Sequence, residues 1–176
     1  MAATLTVLAA LVILFLGWEF HRAGRRLEGG ARAVDEAWGR AEKAFRARLR
    51  ALEEFLSSLR RAGYVPEGQR ELRALLDEAR GVEFTPRSIA ELDERLRAVL
   101  WRIFAALPRE RPAGLRAAQN RLAEAAEEFD VARRRYNDLA RLWNGLLLRF
   151  PYRFVAARKR LSPRDLLPIR SEWELL

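Results

Sequence analysis

The chain contains no cysteine, which excludes disulfides, thiolate metal sites, iron–sulfur clusters and thiol nucleophiles. One histidine, His21, is present, so multi-histidine metal centres are excluded and any imidazole-dependent catalysis rests on a single side chain. Only 10 Gly and 7 Pro occur in 176 residues, too few for a turn-rich β fold. Lysine is scarce as well: Lys43 and Lys159 are two of 33 Lys+Arg, so the remaining 31 are arginine. Against 24 acidic residues this leaves a formal charge of +9.

What is present is apolar and helical in pattern. Half the residues are hydrophobic, enough for one core-bearing domain at this length. No charged side chain lies between Met1 and Trp18. A helix over that stretch reaches about 27 Å, close to the ~30 Å of a bilayer's hydrocarbon core. Trp18 and Phe20 lie where aromatic side chains anchor at an interface. A cleaved signal peptide fits less well, because no basic residues precede the run and Trp-Glu-Phe-His-Arg follows it instead of a small-residue cleavage site. Residues 1–20 therefore read as an uncleaved transmembrane anchor. His21, Arg22, Arg25 and Arg26 crowd its far side, which predicts an outside amino terminus and a cytoplasmic bulk, a single-pass protein of the inner membrane.

Residues 21–30 read as a juxtamembrane linker loosened by Gly24, Gly29 and Gly30. From Ala31 the period becomes helical. Val34, Trp38, Ala41, Phe45, Leu49, Leu52, Phe55 and Leu59 share one face of a helix that Gly63 and Pro66 end. A shorter piece carries Leu72, Leu75, Leu76 and Ala79 and stops at Gly81. Thr85 and Pro86 open a third helix, as N-cap and first-turn residue. It ends before Pro108. In the fourth, Leu115, Ala118, Leu122, Ala125, Phe129, Ala132, Tyr136, Leu139, Trp143 and Leu146 alternate steps of three and four, a heptad seam of the coiled-coil kind. Phe150-Pro151 closes it. The fold class expected is all-α: a transmembrane helix followed by an antiparallel up-and-down four-helix bundle over 31–151. Residues 152–176 form a basic tail with two further prolines, expected to be partly disordered.

The segment Arg133-Arg134-Arg135-Tyr136-Asn137 with Asn144 and Phe150-Pro151 resembles the most recognisable motif of the bacterial LemA family. Leu27-Glu28 followed by Val34-Asp35-Glu36-Ala37-Trp38 looks like that family's opening soluble helix. Departures at Ala51-Leu-Glu-Glu-Phe-Leu and at Ala156-Ala-Arg-Lys-Arg mark a divergent member. The resemblance implies a membrane-anchored helical bundle without established enzymatic activity. It also points to Arg134, Tyr136, Asn137, Asn144, Phe150 and Pro151 as motif or partner-binding positions, and suggests a membrane-associated protein as partner.

Tyr136, Asn137 and Asn144 lie along one helical stripe. They read either as a polar patch gripping a partner or as groups that satisfy neighbouring helices or loop carbonyls and fix register. Arg133, Arg134, Arg135, Arg141, Arg149, Arg153, Arg158, Lys159 and Arg160 crowd one interval in which Asp138 is the single acid. Lipid headgroups, solvent, and nucleic acid or an acidic partner compete for that surface. No nucleic-acid fingerprint accompanies it, and the aromatic residues sit on the seam rather than between the arginines.

Catalytic chemistry is poorly provided for. Glu53-Glu54 and Glu127-Glu128 are adjacent and diverge around a helix. Gly29-Gly30 lacks the spacing of a phosphate loop. Ser57, Ser58, Ser88 and Ser162 have no histidine to activate them. No cofactor or metal is expected. The sequence thus points to a non-enzymatic, membrane-anchored protein-interaction or scaffold module. The alternative is a tethered basic protein that binds nucleic acid through residues 133–160.

Overall fold

A computed structural model describes residues 2–168, and their side chains except those of residues 2–6, 9 and 12. The described residues form five α-helices and no strand: α1 (Ala2–Arg61), α2 (Gln69–Gly81), α3 (Pro86–Ala106), α4 (Ala113–Leu147) and α5 (Tyr152–Lys159). The chain divides into two compact units. One comprises residues 1–37 and 137–164; the other comprises 38–136 and 165–176. Both draw on α1 and α4.

Among the described residues no helix is long and apolar enough to cross a membrane. This overturns the transmembrane anchor over 1–20 and the single-pass inner-membrane placement with an outside amino terminus. A span needs about 20 predominantly apolar residues. Here α1 runs without a break into turns carrying Glu19, Arg22, Arg25 and Arg26. The part of that expectation resting on Met1 and on the side chains of 2–6, 9 and 12 lies outside the described residues.

Residues 21–30 are helical rather than a loose linker. Ala23, Leu27, Val34, Ala37, Ala41 and Phe45 are buried at steps of three, four and seven residues, with Gly30 half-buried inside the seven-residue step from Leu27 to Val34. Packing of that stripe outweighs the ~1 kcal/mol by which each Gly disfavours a helix. Gly30 has a packing role: a Cβ there would stand 3.2 Å from the Trp143 ring.

In the 38–136 unit, the later part of α1, then α2, α3 and the earlier part of α4 surround a core. Phe45 lies at its centre, with ring centroids 5.4 Å from Phe84 and 5.0 Å from Phe129. Leu52, Leu59, Leu72, Ile89, Leu96, Ile103 and Leu115 are fully enclosed. The helix ends follow local chemistry. Gly63 takes φ 75° after α1 and the Tyr64 N–H donates to the Leu59 carbonyl, a left-handed cap. Gly68 caps α2 at φ 93°, where a Cβ would also meet Val99 at 3.3 Å. Thr85 and Ser88 form a capping box at α3, with Pro86 in its first turn.

In the other unit Ala140, Trp143 and Leu147 of α4 are buried, as are Val155 and Ala156 of α5. The seam of α4 is buried at Leu115, Ala118, Leu122, Phe129 and Tyr136, then moves from Leu139 and Leu146 to Ala140 and Leu147. A 3.6-residue helix drifts by ~20° per heptad against a 3.5-residue pattern. The helix stops at Leu147 rather than at Phe150. The 152–176 tail, expected to be partly disordered, contains α5 and a described segment to Pro168. Its last residues, 169–176, lie outside the described part.

Candidate functional site

The motif residues of α4 act mainly on the chain's own backbone. In the 1–37/137–164 unit, the Asn144 amide donates to the Arg164 carbonyl at 2.9 Å and accepts from the Arg164 N–H at 2.8 Å. The Trp143 indole donates to the Ser162 carbonyl at 3.0 Å. In the other unit, the buried Tyr136 hydroxyl donates to the Asp165 carbonyl at 2.6 Å. Its ring stacks at a tilt on Trp38, with centroids 5.2 Å apart. Asn137 is enclosed, with 1 % of its surface exposed. Arg134 is exposed. Phe150 is exposed and edges onto Phe20 and Phe154, while Pro151 caps α5.

The basic interval is not one surface. Arg133 is buried, whereas Arg135, Arg149, Arg158 and Arg160 are exposed. Arg141 pairs with Asp138 at 3.2 Å. Arg153 lies over the Phe154 ring, 4.6 Å from its centroid. Lys159 pairs with Glu28 and holds that carboxyl below the usual carboxylate range through a direct hydrogen bond. His21, with Arg25, Glu28 and Arg158, lines a cleft between α1 and α5.

The feature that sequence reasoning missed lies in the 38–136 unit. One charged side chain sits on the apolar stripe of each of three helices: Arg48 between Phe45 and Leu52, Asp93 between Ile89 and Leu96, and Arg133 between Phe129 and Tyr136. Each is more than nine-tenths buried. Asp93 receives Arg48 on one carboxylate oxygen and Arg97 on the other. Arg133 reaches Asp130 through Nη2 at 2.9 Å. Both buried guanidiniums lie over Phe129, 5.7 Å from its centroid for Arg48 and 5.8 Å for Arg133. Among the described residues, the Nε and Nη1 of Arg133 and the Nε of Arg48 are buried without a hydrogen-bond partner. Desolvation pushes the Arg133 pKa down, opposed by Asp130 and reinforced by the like charge of Arg97.

Arg133 lines a cavity of about 680 Å³ between α3, α4 and the 167–168 segment. Ile89, Ala98, Trp101, Phe129, Leu167 and Pro168 supply most of its apolar wall. Trp101 stands at the mouth, 62 % exposed. The acids along it are engaged: Asp93 as described, Glu91 with Arg87 at 2.9 Å, and Glu94 in a further interaction. Arg102 pairs with Glu71 at 2.5 Å. The clue in the sequence was a charge at the helical step where an apolar residue belongs, repeated on three helices. Compared with known proteins, the chain matches no family model and no curated protein.

Proposed function

We propose that this chain is a non-enzymatic, LemA-like helical interaction module that binds another protein through the cavity between α3 and α4. One observation carries the reading: a solvent-open cavity of about 680 Å³, apolar on most of its wall, with an exposed tryptophan at its mouth and a buried arginine in its lining. That volume is within the range of ligand-binding clefts, and Trp and Arg are the side chains that dominate binding energy at protein interfaces. Of the carboxylates there, Asp93 and Glu91 are held by guanidinium groups and Glu94 is engaged in a further interaction, which supports binding over catalysis.

The alternative, nucleic-acid binding through residues 133–160, draws less support. Arg133 is buried, and Arg141 and Lys159 are engaged by carboxylates of the same chain. A photocrosslinking amino acid placed at Trp101 tests the proposal in cells. A discrete protein adduct is expected, and it should vanish when Ala98→Trp fills the mouth. Absence of any adduct from position 101, with the fold intact, would overturn the reading.

A further inference from the structure

We infer that the cleft between α1 and α5 binds a phosphate monoester, with Arg25 and Arg158 gripping the phosphate. The site lies within the 1–37/137–164 unit and does not depend on what occupies the cavity between α3 and α4. Helical spacing builds it. His21, Arg25 and Glu28 follow at steps of four and three, which share one face of α1, and Arg158 and Lys159 lie in the last turn of α5. All five line a cleft of about 720 Å³. The helices meet closely at buried Gly24, where a Cβ would stand 3.9 Å from the Lys159 Nζ and 4.0 Å from Val155.

The charges along the cleft select the ligand. Lys159 and Glu28 cancel each other in an ion pair. Arg25 and Arg158 are exposed, and among the described residues neither side chain has an ion pair or a hydrogen bond. Their donors are open to solvent, so an anion meets them without displacing a partner. Two uncancelled cations favour a dianion. A carboxylate or a phosphodiester brings one charge, whereas a phosphate monoester carries nearly two at neutral pH on three acceptor oxygens. Guanidinium forks fit those oxygens, and His21 adds an imidazole on the same side of α1. Phe20, Phe154 and Val155 line the cleft as well, which gives the organic group of the ester an apolar wall.

The one histidine of the chain, His21, supplies the readout on the full-length protein, because its imidazole resonances report on this cleft. At about 0.15 M salt, where diffuse attraction is screened, phenyl phosphate should shift them saturably. It should bind at least about tenfold more tightly than methyl phenyl phosphate, which keeps the ring and loses one charge. Inorganic phosphate should bind more weakly than the phenyl ester, for want of an apolar group. Arg25→Gln and Arg158→Gln should each lower the affinity at least about tenfold. Arg135→Gln, an equal loss of charge at an exposed position of α4, should leave it unchanged. Two sources carry the group, a free small-molecule ester or a phosphotyrosine in a protein, and acetyl-phosphotyrosine amide separates them. Affinity equal to that of phenyl phosphate admits the protein source, and loss of binding assigns the free ester. Equal affinity for the diester would overturn the dianion, and equal affinity for inorganic phosphate would overturn the ester. Unchanged affinity in both glutamine variants, or no saturable shift with phenyl phosphate, would overturn the site.

Discussion

Three charged side chains on apolar stripes set the balance of the 38–136 unit, and they do not carry equal weight. Asp93 satisfies two guanidiniums at once. Removing it leaves Arg48 buried without a counter-charge, facing a like one. Asp93→Ala should therefore cost about 3–5 kcal/mol in urea denaturation; a loss under about 1 kcal/mol would show that solvent already screens the pair. Arg133 is the opposite case. Its ion-pair partner Asp130 is 46 % exposed and can return to water, and two of its nitrogens have no acceptor among the described residues. Arg133→Met should leave the melting temperature unchanged or raised. A clear drop would assign the cation a structural role. The positions of these residues were legible: 45-48-52, 89-93-96 and 129-133-136 each place a charge within an apolar step. Their burial was not, since a long side chain on such a stripe often carries its charge out to water along its own stem.

Helices announce themselves through spacing, and those with long periodic faces were readable: α2, α3 and most of α4 lie where Leu72, Thr85-Pro86 and the Leu115–Tyr136 seam put them. Two elements were not. α5 is eight residues long with little periodicity; it is held by burial of Val155 and Ala156, by Lys159 on Glu28, and by Arg26 donating to the Tyr152 hydroxyl at 2.9 Å. Such tertiary support leaves no local signature. The stretch around Gly24, Gly29 and Gly30 looked like a break because glycine propensity is local information, whereas the packing that keeps α1 continuous comes from residues more than a hundred positions away. The two neighbouring glycines allow a direct check. Nothing lies within 4 Å of a Cβ at Gly29, while one at Gly30 meets the Trp143 ring. Gly29→Ala should add about 0.5–1 kcal/mol through helix propensity, and Gly30→Ala should add less or destabilise. Equal gains by chemical denaturation would mean that Trp143 does not press on α1.

Net charge says less about this protein than its size suggests. The formal +9 is what remains once every acid is counted, and arginines matched within the chain, as Arg80 is by Glu53 and Asp77, Arg95 by Glu78 and Arg121 by Glu54, lie outside the 133–160 interval. Attraction to a polyanion should therefore be unspecific and sensitive to salt. Retention on immobilised duplex DNA should be lost by about 0.2 M salt; binding that survives would return the 133–160 interval to consideration as a nucleic-acid surface. The membrane expectation failed for a related reason of context. A run of apolar letters was read alone, while the helix that contains it carries charge from Glu19 onward. The chain's division has a practical consequence of its own. Its borders at 37/38 and 136/137 fall inside α1 and α4, so the customary surgery of cutting a protein at an inter-domain loop finds no loop to cut. Any incision there severs a helix mid-turn and strands four amides and four carbonyls on the exposed stumps. The two units must be inherited, expressed and lost together.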